Sequence, residues 1–200
     1  MASRTPSRKP ARRSAAAQSP APGSPLDWRR VAYQVLASRM LDDVEEATNR
    51  NRSSVPREHL VLYQFSARGH ELGQVILGNL MTGRRDAAGA YYRSRPALLA
   101  LGLSLEDAFA SPLGRSGGFS DGRDIGVVCN LPRRDGAVVL PMAGDVGGQY
   151  TPAAGWAQAI TYHRDVLGDA QWAGSIAVAM GGDASVATSG FWSALTKATT

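Results

Sequence analysis

The chain is poor in the residues and patterns that mark several common classes of protein. A single cysteine, Cys129, excludes an intramolecular disulfide framework and a cysteine-based zinc site, and it is typical of a reducing compartment. No apolar run approaches the roughly 20 residues that a membrane-spanning helix needs, so we expect no membrane partner. The three histidines lack the spacing of metal ligands. Neither a G-x-x-x-x-G-K nor a G-x-G-x-x-G phosphate-binding loop is present.

Positive charge is concentrated at the N-terminus. Residues 1–30 contain seven of the 22 Lys and Arg residues and one acid, so they carry +6, while residues 31–200 carry −1. Residues 1–25 also contain five of the eleven prolines, and such a composition cannot bury apolar surface. We therefore expect a disordered basic tail over 1–25.

Three roles stay open for this tail, namely a solvated extension, an organelle transit peptide and a weak nucleic-acid contact. Its prolines disfavour the amphipathic helix of a transit peptide, and the lack of an apolar segment after the bases excludes a secretory signal. The net charge of −1 on the remainder of the chain disfavours a nucleic-acid-binding protein as a whole.

The pattern over residues 26–200 predicts an α/β protein with a parallel sheet flanked by helices. Apolar residues at helical spacing alternate with short apolar runs, which is typical of that class. In the first helix, Leu26, Val31, Val35, Leu36 and Val44 are expected to form the buried face. A polar, glycine-rich stretch over 111–136 reads as a long loop. Helices are predicted at 25–48, 69–82, 96–101, from 104, at 152–166 and from about 190, and a buried strand at 175–180.

The sharpest local feature is the apolar run that leads into Gly182-Asp183-Ala184-Ser185 before a helix. Ligands of α/β proteins bind beyond the carboxyl ends of parallel strands. A carboxylate there suits a hard cation such as magnesium, and small residues let backbone N–H groups approach a phosphate. A surface turn in which Asp183 caps the last helix explains the same residues equally well.

Two further constellations are candidates for ligand binding. Tyr91-Tyr92-Arg93 follows a glycine-containing turn and precedes a helix that starts with proline, and an Arg fork with a Tyr hydroxyl suits a diphosphate. The turn Gly144–Gly148 follows an apolar run, and its glycines permit close backbone approach. A packed ring with a solvated charge, and a tight structural turn, remain the alternatives. Gly114–Gly118 matches G-x-S-x-G only in its letters, because it lacks the strand before and the helix after.

Taken in order, these segments resemble the α subunit, or the α half of a fused chain, of thiamine-diphosphate-dependent 2-oxoacid dehydrogenases. The similar segments cover about residues 26–200, and their order carries the resemblance more than any one motif. They are Gly69-His-Glu71, Ala90-Tyr-Tyr-Arg93, Gly148-Gln149 with Ala153-x-Gly155-x-Ala157, Gly182-Asp-Ala-Ser185 and Gly190-Phe-Trp-Ser-Ala-Leu195.

The resemblance implies thiamine diphosphate and Mg²⁺ as cofactors and assigns residues to them. Tyr92 and Arg93 match the pair that contacts the diphosphate, and Gly144 and Val146 fall in the turn that holds the aminopyrimidine ring. Asp183 matches the first magnesium ligand of the family motif. The residues that flank Asp183 and approach the diphosphate through their backbone are Gly182, Ala184 and Ser185.

The implied activity is oxidative decarboxylation of a branched-chain 2-oxoacid or pyruvate, with acyl transfer to a lipoyl group. The implied partners are a β subunit or fused β half, the lipoyl acyltransferase component and the 2-oxoacid, in a dimer or α2β2-type assembly. The expected location is the cytoplasm, or the mitochondrial matrix if the tail is a transit peptide. In this family, the glutamate that activates the cofactor belongs to the β part. We therefore name no catalytic residue in this chain, and we expect no turnover from the chain alone.

Three departures from the family pattern leave other interpretations open. Ala184 stands where the motif has a second glycine, the loop from Ser116 to Asp124 lacks the expected histidine, and no Asn follows Asp183 as a second magnesium ligand. We therefore expect the N-terminal part of a longer polypeptide. A catalytically inactive interaction module of such a complex, or an acetoin dehydrogenase or transketolase-like enzyme, is the alternative.

Overall fold

The computed structural model describes residues 25–51, 53–56, 60–61, 63–123, 128–131 and 135–200. Residues 1–24 of the predicted tail lie outside this part, so its disorder stays a prediction. The described chain is a mixed helix–strand protein with a small open sheet of three parallel strands, which agrees with the α/β class. Its elements are α1 Trp28–Arg50, α2 Glu71–Leu80, β1 Ala87–Gly89, α3 Arg95–Ala100, α4 Leu105–Ala110, β2 Val138–Val139, α5 Tyr150–Thr161, β3 Ala177–Ala179 and α6 Ser189–Thr199.

We predicted that the first helix begins at Pro25. Helix α1 begins instead at Trp28, because Asp27 supplies the N-terminal cap. The Asp27 carboxylate accepts hydrogen bonds from the backbone N–H groups of Arg29 at 3.0 Å and Arg30 at 3.2 Å. A capping carboxylate satisfies backbone donors that have no partner within the helix. The remaining helices lie within a few residues of their predicted positions.

The buried face of α1 is polar, which corrects the apolar face predicted from the sequence. Leu36 and Val44, both expected in the core, are 60% and 47% exposed. With one exception, the buried positions carry polar or charged side chains. They are Val31, Gln34, Ser38, Asp42 and Glu45.

Hydrogen bonds and ion pairs hold this polar face against α2 and α3. Arg95, the first residue of α3, pairs with both Asp42 and Glu45, and all three side chains are nearly inaccessible to solvent. Asn79 of α2 donates to the Gln34 side chain at 2.7 Å. Burial raises the pKa of Glu45, the Asp42 carboxylate raises it further, and Arg95 lowers it without cancelling these two effects.

The Gly-His-Glu segment at the start of α2 also ties α1 to its neighbours. The Glu71 carboxylate accepts from the N–H of Gly69 at 2.6 Å and from Arg39 of α1 at 2.7 and 2.9 Å. Burial acts to raise the pKa of Glu71, but these backbone and guanidinium hydrogen bonds outweigh it and hold the pKa below its usual value. The Gly69-His70-Glu71 segment therefore has a structural role within the chain.

The sheet has the strand order β2-β1-β3, and its central strand was missed by the sequence analysis. We predicted the Ala-Ala-Gly segment of β1 as a glycine-rich turn, because it has no β-branched residue. Its neighbours require small side chains, since a Cβ atom on Gly89 would lie 2.9 Å from the Gln149 carbonyl and 3.3 Å from the Ala153 Cβ. Helix α5 thus packs directly against the central strand.

Strand β3 is not the buried strand that its apolar sequence predicted. It pairs with β1 in parallel, with Gly89 opposite Ala179, and forms an edge of the sheet. Ala177 and Val178 are half-buried and Ala179 is exposed. No strand within the described residues covers its outer edge.

The apolar core lies between the sheet and α3. All six residues of α3 are buried, and Leu98 is only 1% exposed. Helix α4 begins at the predicted cap, where Ser104 accepts from the N–H of Asp107 at 3.0 Å. The described residues of 111–136 form turns and an isolated bridge, as expected for a long loop. Among the described segments, no helix is both long enough and apolar enough to cross a membrane.

Candidate functional site

Three connecting segments meet at the carboxyl edge of the sheet. Since β2 and β3 both run parallel to β1, all three strands end at this edge. The segment after β1 contains Tyr91-Tyr92-Arg93, the segment after β2 contains the Gly144–Gly148 turn, and the segment after β3 contains Gly182–Ser185. All candidate residues named from the sequence therefore follow the same ends of neighbouring strands.

The segment after β3 forms a 3₁₀ turn over Asp183–Ala187. Ser185 is buried, and its hydroxyl lies 2.5 Å from the Tyr150 hydroxyl at the start of α5. Asp183 is exposed and does not cap α6, because Thr188 does so by accepting from the Phe191 N–H at 3.4 Å. The alternative explanation of Asp183 as a helix cap is therefore wrong.

Ala184 is accommodated in this turn without backbone strain. It belongs to the 3₁₀ turn, and within the described part of the chain Asp121 is the only non-glycine residue with a positive φ. An alanine is acceptable at negative φ, so its presence in place of a second glycine leaves the turn intact.

The two glycines before Asp183 have different surroundings. A Cβ on Gly181 would lie 1.8 Å from the Tyr150 hydroxyl, whereas a Cβ on Gly182 would meet only the edge of the Tyr91 ring at 3.9 Å. Gly181 is thus required for packing. Gly182 leaves open space in which a ligand can approach the backbone.

The segment after β1 places Tyr91 against the turn that carries Asp183. The Tyr91 ring is buried, and burial raises the pKa of its hydroxyl, with smaller effects from Arg93, Tyr92, Tyr150 and Asp183. The edge of the Tyr91 ring lies 3.9 Å from the position that a Cβ would take on Gly182, so the two segments lie side by side. The sequence analysis included Tyr91 in a candidate segment but assigned it no cofactor contact, because only the structure brings it beside Gly182.

Tyr92 and Arg93 turn toward the segment before α2. The Tyr92 ring packs on Phe65 at a centroid distance of 4.5 Å. Arg93 Nη1 donates to the Ser66 carbonyl at 2.8 Å, and its guanidinium lies 5.5 Å from the Tyr92 ring centre. No described hydrogen bond or ion pair joins Arg93 to Asp183, so the structure does not bring these two predicted residues into contact.

The turn after β2 contains an exposed half and a packed half. Gly144 and Val146 are exposed, Val146 by 50%. Gly147 has φ +91°, and a Cβ there would lie 2.3 Å from the Thr188 Oγ1 at the start of α6. The Gln149 amide donates to the Met180 carbonyl at 2.7 Å. This turn is therefore fixed against the segment after β3, while its predicted ligand-binding residues face solvent.

Tyr150 joins these segments and was missed by the sequence analysis. It follows the glycine-rich turn directly, its hydroxyl contacts Ser185 and its ring packs edge-on against Phe191 at 5.2 Å. An aromatic residue immediately after such a turn is the signal that could have identified it.

A small aromatic cavity lies behind the segment after β1. It is lined by Tyr91 and Tyr92, by Phe65, and by the buried pair Glu45 and Arg95, among others. The space open to water-sized spheres is only about 20 Å³, which is room for one or two water molecules. The cavity is therefore too small for an organic ligand in this conformation.

Few side chains at this edge of the sheet could serve as metal ligands. Within the described ranges, no group of three or more His, Cys, Asp or Glu side chains is arranged to hold a metal ion. A magnesium ion shared with a diphosphate takes only one or two protein carboxylates, so Asp183 remains the candidate ligand.

The G-x-S-x-G match over Gly114–Gly118 lies in the long loop, with neither a strand before it nor a helix after it in the described segments.

No protein-family model and no curated protein matches the chain. The functional argument therefore depends on the residues at the carboxyl edge of the sheet.

Proposed function

We propose that the chain is the α part of a thiamine-diphosphate-dependent 2-oxoacid dehydrogenase with a thiamine-diphosphate-binding fold. The proposal depends on one observation above all. The segments that carry Tyr91–Arg93, Gly144–Gly148 and Gly182–Ser185 leave the same edge of one parallel sheet, which is where α/β proteins bind ligands.

Asp183 suits the magnesium ion in this proposal. Its carboxylate is exposed at the end of β3 and forms no salt bridge that involves the described residues. Magnesium prefers carboxylate oxygen ligands and shares its remaining positions with water and phosphate oxygens. The proposal therefore assigns Asp183 as the metal ligand.

Gly182, Ala184 and Ser185 fit the diphosphate through their backbone. The open space above Gly182 and the unstrained Ala184 leave the 3₁₀ turn accessible, while Ser185 is anchored by Tyr150. Arg93 contributes a fixed positive charge, with one nitrogen held by Ser66. Tyr92 positions that guanidinium through its ring.

Gly144 and Val146 are assigned to the aminopyrimidine ring. An exposed valine beside a glycine presents apolar surface and accessible backbone, the combination that an aromatic heterocycle with polar edges needs. Bound thiamine diphosphate supplies the nucleophilic carbon and the electron sink for decarboxylation. The residues of this chain bind and orient it, and in the proposal the β part, the 2-oxoacid and the lipoyl acyltransferase component complete the reaction.

An inactive assembly module of the same type of complex is the second candidate. The observation that favours it is the exposed apolar face of α1, with Met40 at 65% and Leu36 at 60% exposure. Such a face serves association and needs no cofactor. The two candidates differ in whether Asp183 binds metal and cofactor.

Magnesium-dependent binding of thiamine diphosphate, followed by amide NMR shifts, tests the proposal. We expect weak binding that requires Mg²⁺ and shifts the amides of Gly182–Ser185 and Gly144. Asp183→Ala should weaken it roughly tenfold or more, by at least 1.4 kcal/mol, whereas Asp165→Ala, an exposed carboxylate after α5 and away from this edge of the sheet, should leave it unchanged. Binding that ignores Mg²⁺, or equal effects of the two substitutions, would contradict the assignment.

A further inference from the structure

Tyr91 has a buried ring, yet its hydroxyl forms no hydrogen bond within the described part of the chain. The residue is only 8% exposed. Its described hydrogen bonds use the backbone, which donates to the Ser94 hydroxyl at 3.1 Å and accepts from the Ser94 N–H at 2.8 Å. Since buried tyrosine hydroxyls usually have a partner, the Tyr91 hydroxyl is a donor that the described chain leaves unpaired.

The hydroxyl oxygen keeps access to solvent although the ring is buried. Among the described residues, the fully buried side-chain oxygens without a partner belong to Ser38, Asn49 and Gln74. The Tyr91 oxygen is not one of them, so it is unpaired and also reachable. Such a hydroxyl can bind a group that approaches it from outside the chain.

The hydroxyl end of the Tyr91 ring lies at the backbone of Gly182. The Tyr91 Cε2 atom, which is next to the ring carbon that carries the hydroxyl, is 3.9 Å from the position of a Cβ on Gly182. Asp183, the candidate magnesium ligand, follows Gly182 directly and is exposed. Tyr91 therefore presents its hydroxyl beside the open backbone that precedes the candidate metal ligand.

The surroundings of the Tyr91 ring fix its position. Its backbone is tied to Ser94, which is fully buried, and the ring packs edge-on against Tyr92 with 5.0 Å between the ring centres. Burial raises the pKa of the Tyr91 hydroxyl, so the hydroxyl stays protonated at neutral pH and can donate. A donor that is held in place before binding loses little conformational entropy when a ligand arrives.

Tyr92, the tyrosine that the resemblance assigned to the diphosphate, is placed differently. Its ring packs on Phe65 at 4.5 Å, in the segment before α2, and lies 5.5 Å from the Arg93 guanidinium. Tyr92 thus acts on Arg93 through its ring. The tyrosine whose hydroxyl end reaches Gly182 is its neighbour, Tyr91.

We propose that the Tyr91 hydroxyl donates a hydrogen bond to a phosphate oxygen of a magnesium-bound diphosphate that lies on the Gly182 backbone. An ionised phosphate oxygen accepts strong hydrogen bonds from hydroxyl and backbone donors. The backbone N–H of Gly182 also forms no hydrogen bond with the described residues, so one phosphate would pair two free donors. The inference rests on the proposed function and deepens it, because it adds a ligand-binding residue that the resemblance does not assign.

Titration of the full chain with magnesium pyrophosphate, and separately with magnesium thiamine diphosphate, tests the role of Tyr91. Tyr91→Phe should weaken the binding of both ligands by about tenfold or more, the effect of losing a hydrogen bond to a charged group. Its circular dichroism should be unchanged, because the lost hydroxyl has no partner in the described chain. Tyr162→Phe is the matched control and should leave both affinities unchanged, since Tyr162 is 53% exposed and follows the far end of α5.

The two ligands separate this inference from the proposed function. Unchanged affinity of Tyr91→Phe for both ligands would overturn the inference and leave the proposed function in place. Pyrophosphate binding that Tyr91→Phe weakens, in a chain that does not bind thiamine diphosphate, would support the inference and contradict the proposed function. A chain that binds neither ligand would contradict both.

NMR of the chain labelled with carbon-13 at the tyrosine Cζ atoms detects the contact itself. The Tyr91 resonance, identified by its loss in Tyr91→Phe, should shift when magnesium pyrophosphate is added, and the Tyr162 resonance should not. A shift of the Tyr92 resonance without one of Tyr91 would show that Tyr92 supplies the hydroxyl and would overturn the inference.

Discussion

Helices α1 and α3 contact each other, yet they are held in place by different forces. Every residue of α3 from Arg95 to Ala100 is buried, and its interior side chains are mainly aliphatic. The buried face of α1 is polar, and both of its carboxylates, Asp42 and Glu45, pair with Arg95 of α3. Apolar burial supplies net stability, whereas buried ion pairs contribute little net stability but strongly penalise the loss of one partner. The position of α1 is therefore specified by directional bonds, and its apolar surface is left exposed.

The substitution with the largest expected effect on stability is Arg95→Leu. The substitution leaves the carboxylates of Asp42 and Glu45 buried without their cation, and we expect a loss of about 4 kcal/mol in the free energy of unfolding. Urea denaturation followed by circular dichroism measures it. Adding Glu45→Gln should recover part of the loss, because Asp42 keeps its hydrogen bonds from Ser66 and the Ala67 N–H. A loss under about 1 kcal/mol would mean that the carboxylates are solvated.

Leu98→Ala tests the apolar side of the comparison. Leu98 is 1% exposed in the core, so truncation removes buried methyl groups and leaves a cavity, at a cost of about 3 kcal/mol. The same denaturation experiment reports it, and the cost should hardly change with pH because no charge is involved. Leu167→Ala, at an exposed position, should cost less than about 0.5 kcal/mol. Similar losses for the two variants would refute the assigned core.

The smallest expected effect is a difference between Glu45 and Glu71 in how their contributions to stability depend on pH. The pKa of Glu45 is raised on folding, so its stabilisation is complete below the unfolded pKa, about 4.3, and is lost as pH rises through the native value. The pKa of Glu71 is lowered, so its stabilisation is present above the unfolded pKa and is lost as pH falls through the native value.

Stability profiles of Glu45→Gln and Glu71→Gln measure this difference. Compared with the unsubstituted chain, Glu45→Gln should remove a decline in stability as pH rises above the unfolded glutamate pKa. Glu71→Gln should remove a decline on the acidic side. Profiles that change in the same direction for both variants would show that the two carboxylates share one type of environment.

The sequence predicted where most helices lie, because caps, prolines and periodicity are local signals. Ser104 caps α4 as predicted, and α6 begins within one residue of its predicted start. The sheet was harder to predict. The Ala-Ala-Gly segment of β1 has low strand propensity, yet it pairs with β2 and β3 on its two sides, and α5 approaches Gly89 too closely for a larger side chain. The apolar sequence of β3 did not reveal that it lies at an edge.

The face of α1 could not be predicted, because periodicity identifies an apolar stripe without saying what covers it. The rule that apolar faces point inward fails here, since Arg95 and Asn79 provide polar partners inside. For the candidate site, the residue pattern selected the three segments that follow the strands at this edge of the sheet. The pattern did not select Tyr150 and did not show that Tyr91 lies beside Gly182, because those contacts join positions far apart in the sequence.

The polar attachment of α1 also has a calorimetric consequence. Exposing apolar surface raises the heat capacity of a protein, and exposing polar surface lowers it. Release of α1 from α2 and α3 would hydrate Gln34, Asp42 and Glu45 together with Val31, while changing the hydration of Leu36 and Met40 little. Local opening at α1 therefore has a smaller heat-capacity change than opening of the apolar core around Leu98, so cooling, which weakens the apolar core, should weaken the attachment of this helix less.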